Sequence, residues 1–401
     1  MPSPYTIHLA PSISEIEPAQ WDACANPGSA PSLETAAESP FEIEHFNPFV
    51  SYAFLKALED SKSVGSRSGW ISTHILVKDQ TGRLAAAAAA YMKTHSMGEY
   101  VFDHGWADAY HRAGLSYYPK LQVAVPFTPV TGRRLLIARE HGEAAALALI
   151  VGLRSFREKM EASSIHITFP TRTEWEALGR NGFLQRTGQQ FHFINESYAD
   201  FESFLSELAS RKRKVIRRER KEALAPGISV ELLTGSDIKE THWDAFFQFY
   251  QDTGAKNWGT PYLTRPFFSL VGETLCDHIL LVMAKRNGRY IAGAINFIGG
   301  DALYGRHWGA IEEHPFLHFE ICYYQAIEFA IARRLARVEA GAQGEHKLAR
   351  GYRAVATFSA HEIGDPRFAL AIDDYLQRER LHVDAALREY EELAPFKKKA
   401  E

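Results

Sequence analysis

The chain has 401 residues, a length that suits two domains of about 200 residues each better than a single core. Its composition, with 46% hydrophobic and 23% charged residues, is that of a globular protein, and its net charge of −4 excludes a polycation. Any affinity for nucleic acid or anionic lipid must therefore come from a local patch. The three cysteines, Cys24, Cys276 and Cys322, fit neither a zinc site nor a disulfide framework, which favours a reducing cytoplasm. The first residues lack the pattern of a signal peptide, and the longest apolar runs are too short to span a bilayer.

The first half of the chain is predicted to alternate strands and helices around a hairpin. The turn at residues 79–82 separates a strand at 69–78 from a returning strand at 83–93, and Gly182 closes a helix at 175–181. The other elements predicted in this half are strands at 5–9, 121–127, 164–169 and 191–194, a helix that begins near residue 17, and helices at 50–60 and 143–162. A loop rich in Pro, Ser and Gly is expected at 26–40.

A polar and aromatic cluster lies within residues 100–112. It contains Asp103, His104, Trp106, Asp108 and His111, which are residue types that bind sugars or peptides. The spacing does not match a regular metal motif, so the sequence predicts no metal here.

A strongly basic run joins the two halves. Eight of the eleven residues 211–221 are Lys or Arg, and only Val215 and Ile216 are apolar anchors for the helix predicted at 211–223. The charge is either a solvated face balanced by acidic neighbours or a surface that binds phosphate groups. The candidate anion- or nucleic-acid-binding residues are Arg211, Lys212, Arg213, Lys214, Arg217 and Arg218.

The second half repeats the architecture of the first. The predicted elements are a strand at 228–233, helices at 243–253 and 263–275, a hairpin of strands 279–286 and 290–298, a strand at 302–309, a long helix at 316–337, a strand at 354–361 and a C-terminal helix at 365–390. The long helix has a broad apolar face and is expected to hold Arg333, Arg334 and Arg337 in its last turn, where cations suit the helix dipole. Cys322 within it fits a core position better than a nucleophile.

The segment 339–352, which follows the long helix, carries the densest set of chemically useful side chains. It combines two carboxylates, an imidazole, an ammonium, a guanidinium, an amide and three glycines. Gly341 and Gly344 allow positive φ or a close approach to a ligand, and residues 345–350 are predicted to open a short helix whose N–H groups face an anion. The same composition also fits an ordinary solvated loop, so a site and a loop stay open as alternatives.

The order of elements resembles the acyltransferase fold of the GNAT superfamily, doubled, and the doubled form with a basic helix resembles the Fem-type aminoacyltransferases. The chain looks like the FemAB-like family of peptidoglycan biosynthesis or recognition. The segments that carry this resemblance are residues 126–133, 166–170, 188–192, 211–214 with 217–220, and 339–352.

The resemblance implies a substrate-contacting role for Lys347. Fem enzymes have a lysine near the C-terminal end that contacts the reacting or phosphate-bearing substrate, and His346 stands here where those enzymes have an aromatic residue. The glycine pattern with which GNAT enzymes bind acetyl-CoA is absent at 310–316, with residues 129–134 as a partial substitute in the first half. Acyl-CoA, aminoacyl-tRNA or another acyl donor therefore stays open as co-substrate.

Acyl transfer to an amine requires a proton acceptor and stabilisation of an oxyanion. The predicted catalytic residues are Glu339, Glu345, His346 and Lys347. The predicted substrate-binding residues are Asp103, His104, Trp106, His307, Gln343, Lys347, Arg350 and Tyr352. The alternatives are an ion pair with a preceding arginine for Glu339 and a packed or solvated position for His346.

The sequence thus predicts tandem GNAT-like α/β domains at 1–195 and 196–401, with mixed, largely antiparallel sheets flanked by helices. The expected activity is cytoplasmic N-acyl or aminoacyl transfer to an amine on a peptide or peptidoglycan precursor bound between the domains. The partners expected are a peptide or small-molecule acceptor and tRNA on the basic helix, with no metal. The alternative is a non-catalytic protein that recognises a cell-wall precursor or RNA.

Overall fold

The computed structural model describes residues 4–28, 45–225, 227–257, 261–341 and 344–397. The chain forms two compact units, of which the first comprises Met1–Gly188 with Thr357–Asp384 and the second comprises Gln189–Ala356 with Ala385–Glu401. The predicted division into domains 1–195 and 196–401 stays a prediction. Most of the loop predicted at 26–40 lies outside the described residues.

The first unit contains two sheets. Its helices are α1 (Pro18–Ala25), α2 (Tyr52–Asp60), α3 (His104–Arg112), α4 (Gly142–Lys159) and α5 (Arg172–Arg180). Its strands are β1 (Thr6–Ala10), β2 (Trp70–Ser72), β3 (His74–Lys78), β4 (Leu84–Ala88), β5 (Ala90–Lys93), β6 (Lys120–Val123), β7 (Leu136–Ile137) and β8 (Ser164–Thr168). The strand predicted at 69–78 is broken between β2 and β3, which belong to different sheets.

Strand β9 (Leu184–Ile194) begins in the first unit and ends in the second. The helices that follow are α6 (Phe201–Glu207), α7 (Ser210–Leu224), α8 (Glu240–Asn257), α9 (Arg265–Thr274), α10 (Leu317–Phe319) and α11 (Gln325–Ala332). The strands are β10 (Ile228–Thr234), β11 (Ile279–Arg286), β12 (Arg289–Ile298), β13 (Ala302–Ala310) and β14 (Arg337–Glu339). Strand β15 (Arg353–Ile363) then returns to the first unit, and α12 (Pro366–Glu392) ends in the second.

Each unit builds a mixed sheet around its own core. In the first unit the strand orders are β1-β3-β4-β7 and β15-β8-β6-β5-β2, and the parallel pair β6 and β8 lies within the second of these. In the second unit the order is β10-β11-β12-β13-β14-β9, with β13 and β14 as the parallel pair. Asn287 and Gly288 both have positive φ in the turn between β11 and β12, as a tight hairpin requires.

The long helix predicted at 316–337 is wrong at its C-terminal end. Residues Glu320–Tyr324 form a π-helical turn between α10 and α11, and α11 stops at Ala332. Arg334 has a φ of 55°, and the N–H of Leu335 donates to the carbonyl of Ala330, which closes the helix without a glycine. Arg337 therefore begins β14 instead of lying in a last helical turn.

Candidate active site

The sheet of the second unit opens between its two parallel strands. β13 pairs with β14 only from Ala302 to Tyr304, opposite Arg337 to Glu339. β13 then continues to Ala310, whereas β14 ends at Glu339. The edge of β13 beyond Tyr304 thus loses this strand partner, and the register between β12 and β13 shifts at the same level, after Ile295. Such an opening exposes backbone groups with which a ligand can pair.

Glu339 lies at this opening and is held on one side. Its Oε1 accepts a hydrogen bond of 2.9 Å from Arg337, which also forms an ion pair with Asp301. The ion pair that sequence reasoning kept as an alternative for Glu339 is therefore present. Its Oε2 is buried and accepts no hydrogen bond within the described chain, and the Nε2 of His192 lies 3.9 Å away.

Lys347 is a buried cation without an anionic partner. Its side chain is 1% exposed, its Nζ donates to the carbonyl of Gly341 at 3.0 Å, and it forms no ion pair with any described carboxylate. Burial lowers the pKa of the Lys347 ammonium to about 8, and the neighbouring Cys322 partly offsets that effect. An unpaired buried cation is energetically unfavourable, so an anionic ligand that binds beside Lys347 would be stabilised by its charge.

His346 stands beside Lys347 but is exposed. Its Nε2 lies 2.9 Å from the hydroxyl of Tyr323, and its ring packs against Phe319. Burial, followed by the charges of two neighbouring cations, lowers the pKa of His346, so the imidazole is neutral near pH 7. Gly344 has a φ of 115°, and a Cβ at that position would lie 2.5 Å from the imidazole, so glycine makes room for this ring.

Arg350 already has a charged partner. Its Nη2 donates to Oε1 of Glu219 on α7 at 2.9 Å, and its guanidinium lies 3.4 Å from the ring centroid of Phe319. The hydroxyl of Tyr324 donates to the other oxygen of Glu219. Glu219 thus neutralises the charge of Arg350, and the predicted role of Arg350 in substrate binding stays a prediction.

A cavity of about 460 Å³ lies in the same unit. Its wall includes Trp308 and His318, whose rings are 5.0 Å apart, and His318 packs in turn on Tyr323 at 5.2 Å. Burial, then the charge of His346 and the two cations beyond it, lowers the pKa of His318 to about 4. This chain of rings connects the cavity with His346 and Lys347.

Other predicted residues of the second unit occupy different positions. His307 packs on Tyr250 at 5.0 Å and does not line the cavity, because neighbouring strand residues point to opposite faces and Trp308 faces the cavity. Glu345 is exposed and accepts a 2.6 Å hydrogen bond from Tyr390. Tyr352 is fully buried, and its hydroxyl finds no partner within the described chain. Gln343 lies outside the described residues.

The candidates from residues 100–112 all lie in the first unit. Asp103 is buried and accepts hydrogen bonds from Lys120 and from Tyr117. Trp106 is 8% exposed and stacks on His166, whereas His104 is exposed at the start of α3. Their predicted place in one cleft with 339–352 stays a prediction.

The basic helix α7 has one buried side. Ile216, Glu219 and Ala223 are buried. Among the six candidates, Arg213 donates to the carbonyl of Ser206, Arg217 pairs with Glu202, and Arg218 lies 3.6 Å from Glu222. The exposed cations that share one stripe at helical spacing are Arg211, Lys214, Arg218 and Lys221. Lys212 is half-buried.

Sequence reasoning missed the tyrosines and the histidine that frame the site. Tyr323, Tyr324 and His318 were part of an apolar helical pattern, which indicates core positions. The π-helical turn Glu320–Tyr324 changes which side chains face the segment 345–350, and such turns often occur at functional sites. The one signal in the sequence is the pair Tyr323-Tyr324, because it places two hydroxyl groups within an otherwise apolar helical pattern.

Within the parts of the chain that the structure describes, no cluster of His, Cys, Asp and Glu side chains is arranged to hold a metal ion. The helices of those parts include none with the length and apolar content needed to cross a membrane.

The fold is similar to those of several solved structures. FemX shares 12% identity over 80% of this chain and 94% of its own, with a TM-score of 0.51. The C-terminal domain of a putative lysylphosphatidylglycerol synthetase from Agrobacterium fabrum shares 8% identity over 81% of this chain and 90% of its own, with a TM-score of 0.50. A tandem GNAT protein from the clavulanic acid biosynthesis pathway shares 12% identity over 90% of this chain and 99% of its own, with a TM-score of 0.44. The predicted fold class, an α/β fold with mixed, largely antiparallel sheets flanked by helices, is confirmed.

No curated protein matches the sequence. The family model FemAB-like, described as peptidoglycan biosynthesis/recognition, matches residues 12–398 and so covers almost the whole chain. The chain belongs to the FemAB-like family.

Proposed function

We propose that this chain is an N-acyltransferase that moves an acyl or aminoacyl group onto the amine of a peptide, with a peptidoglycan precursor as its acceptor. The observation that carries the proposal is Lys347, a buried ammonium without a carboxylate partner, beside strands that have just separated. During acyl transfer an oxyanion develops on the donor carbonyl, and the ammonium of Lys347 can stabilise that negative charge.

His346 is the proton acceptor in this proposal. The acceptor nitrogen attacks the donor carbonyl carbon, a C–N bond forms, and the bond to the leaving oxygen or sulfur breaks with its electron pair. When Nε2–H of His346 donates to Tyr323, Nδ1 is the nitrogen that takes the amine proton and passes it to the leaving group. Glu339 and Glu345 are weaker candidates for this step, because Arg337 holds the first and Tyr390 holds the second.

The donor, the compartment and the partners belong to the same proposal. Acyl-CoA or aminoacyl-tRNA serves as donor, and the exposed stripe of α7 supplies cations for the phosphates of the tRNA. The cytoplasm is the compartment in which both donors occur.

The basic stripe also favours a second candidate function. A protein that binds RNA or a nucleotide-linked precursor without catalysis needs the four cations of the exposed stripe of α7 and does not need His346. This alternative predicts salt-dependent binding and no acyl product with any donor.

The test is a transfer assay on the purified full chain. Acetyl-CoA and aminoacyl-tRNA are offered as donors with muramyl peptides as acceptors, and products are identified by mass spectrometry. We expect a new amide, and we expect His346→Ala to reduce its rate by about 100-fold or more. His242→Ala is the matched control, because His242 also contacts a tyrosine hydroxyl in the same unit, at 3.3 Å from Tyr290. Equal rates in both variants refute the assignment of His346, and no amide with any donor refutes the enzyme.

A further inference from the structure

The first unit contains a sheet face that is both polar and buried. The strand register places Tyr91 opposite Gln122, Gln122 opposite His166, and His166 opposite His361. Side chains directly opposite each other share a face, so these four form one row across β5, β6, β8 and β15. Each of the four is at most 2% exposed.

This polar face is not the usual solvent side of a half-buried sheet. The alternate residues Leu121, Val123, Ile165 and Ile167 point the other way and form the apolar core with α4. An alternating sheet normally turns its polar side to water. Burial of both sides is unfavourable unless the polar groups find partners.

Charged groups extend the row by one step along the strands. Lys93 and Lys120 are opposite each other, two residues from Tyr91 and Gln122, and both are fully buried. Lys120 uses all its protons, because its Nζ donates to Ser96 at 2.9 Å, to Glu99 at 2.7 Å and to Asp103. Glu99 and Asp103 therefore each use one carboxylate oxygen to bind the ammonium of Lys120.

Lys93 is less completely engaged. Its Nζ donates to the carbonyl of Met97 at 3.1 Å and lies 3.9 Å from the ring centroid of Trp70. The Oε1 of Glu99 is 3.8 Å away, too far for a hydrogen bond. A polar group placed near Glu99 would find both an acceptor and a spare donor.

Four buried polar atoms in this cluster have no hydrogen-bond partner within the described chain. They are Tyr91 Oη, Glu99 Oε1, Asp103 Oδ1 and Gln122 Oε1. More than nine in ten buried polar groups in native proteins are paired, so four such atoms in one cluster require an explanation. Three of them are oxygens that only accept, which indicates a missing partner that donates.

We propose that the polar face of the first unit binds a small molecule that donates several hydrogen bonds, through hydroxyl or ammonium groups, to Glu99, Asp103 and Gln122, with the hydroxyl of Tyr91 as a further partner. The formal charges of two lysines and two carboxylates cancel, so the site suits a neutral or singly charged guest. Trp106 of α3 covers the row from one side, with its ring 5.0 Å from that of His361. No residue of the second unit is needed, so this site is independent of the proposed acyl transfer.

Two probes distinguish the two sources of donors. The full chain is titrated by calorimetry at low millimolar concentration with myo-inositol, which offers hydroxyls, and with propylamine, which offers a single ammonium group. We expect one of them to bind, and we expect Tyr91→Phe and Gln122→Leu each to weaken binding by about tenfold, the effect of about one hydrogen bond. Tyr375→Phe, which alters an exposed tyrosine of the same unit, is the control and should leave binding unchanged.

The variants are chosen so that the protein still folds. Tyr91→Phe keeps the ring that packs on Trp70 at 5.4 Å and on His74 at 5.5 Å, and it removes only an unpartnered hydroxyl. Two results overturn the proposal: no heat of binding from either probe with the unaltered chain, or equal affinity in the unaltered chain and in both variants. Either result means that ordered water fills the cluster.

Discussion

Lys347→Met should make the protein more stable and less active. The fall of the Lys347 pKa from 10.5 to about 8 corresponds to about 3 kcal/mol by which the fold disfavours the charged ammonium. Loss of the hydrogen bond to the carbonyl of Gly341 destabilises the variant by about 1 kcal/mol. The free energy of unfolding of Lys347→Met should therefore be higher by about 2 kcal/mol at pH 7. Because methionine keeps most of the volume of lysine, no large cavity opens.

The sign of this effect depends on pH. Between pH 8 and 10.5 the folded lysine is neutral while the unfolded lysine is still charged, so the unaltered protein gains stability as pH rises through this window. The advantage of Lys347→Met should shrink across the window and reverse by about 1 kcal/mol above it, where only the lost hydrogen bond remains.

Urea unfolding at a series of pH values measures the difference in the free energy of unfolding between the two proteins. Lys221→Met, which removes an exposed lysine of the same unit, should change stability by less than about 0.5 kcal/mol and serves as the control. The acyl-transfer rate of Lys347→Met should fall by about 100-fold to 1,000-fold. A variant that is less stable at pH 7, or whose difference from the unaltered protein does not vary with pH, refutes the view that Lys347 is an unpaired buried charge.

Four further predictions address other parts of the molecule. His346→Gln should remove the acidic limb of the pH–rate profile, which should lie below pH 6.5 because burial lowers the pKa of His346; a retained limb assigns the proton acceptor elsewhere. Glu219→Gln should lower the free energy of unfolding by about 3 kcal/mol in urea, because it leaves a buried guanidinium unpaired. The double change Lys214→Gln with Arg218→Gln should reduce the salt slope of RNA binding by about two, and an unchanged slope makes α7 a structural face. Stability should fall as pH drops from 6.5 to about 3, because burial lowers the pKa of His166 to about 3 and only the unfolded state takes the proton in this range; His166→Gln should flatten that fall in urea unfolding.

Local rules account for the elements that the sequence predicted correctly. Asn287-Gly288 specifies a hairpin turn. The basic run specifies a helix in which few residues are apolar. The segment 345–350 forms the short helix that was expected, here of the 3₁₀ type, and Gly341 and Gly344 both have positive φ. These features depend on residues close in sequence, which is why a single sequence suffices for them.

Pairings between distant residues account for what the sequence could not predict. Arg350 meets Glu219 from 131 residues away, and Asp103 meets Lys120 across helix α3 and a loop. A cation in a polar segment carries no sign of whether a distant carboxylate will neutralise it. The end of α11 at Ala332 was missed for a different reason, because Arg334 adopts a φ of 55° where a glycine would have marked the stop.

The contrast between Lys347 and Arg350 connects these points. Both cations lie in one short helix and both are buried, yet Glu219 pairs only with the arginine. The arginine–carboxylate pair anchors the segment to α7, since breaking a buried pair is costly. An anchored segment can hold the neighbouring lysine in an unfavourable, unpaired state without collapsing around it. Burial of the unpaired Lys347 ammonium destabilises the fold, and an anion that binds beside the ammonium removes this unfavourable energy. If that anion is the oxyanion of the transition state, the interaction lowers the barrier of the reaction instead of stabilising the free protein.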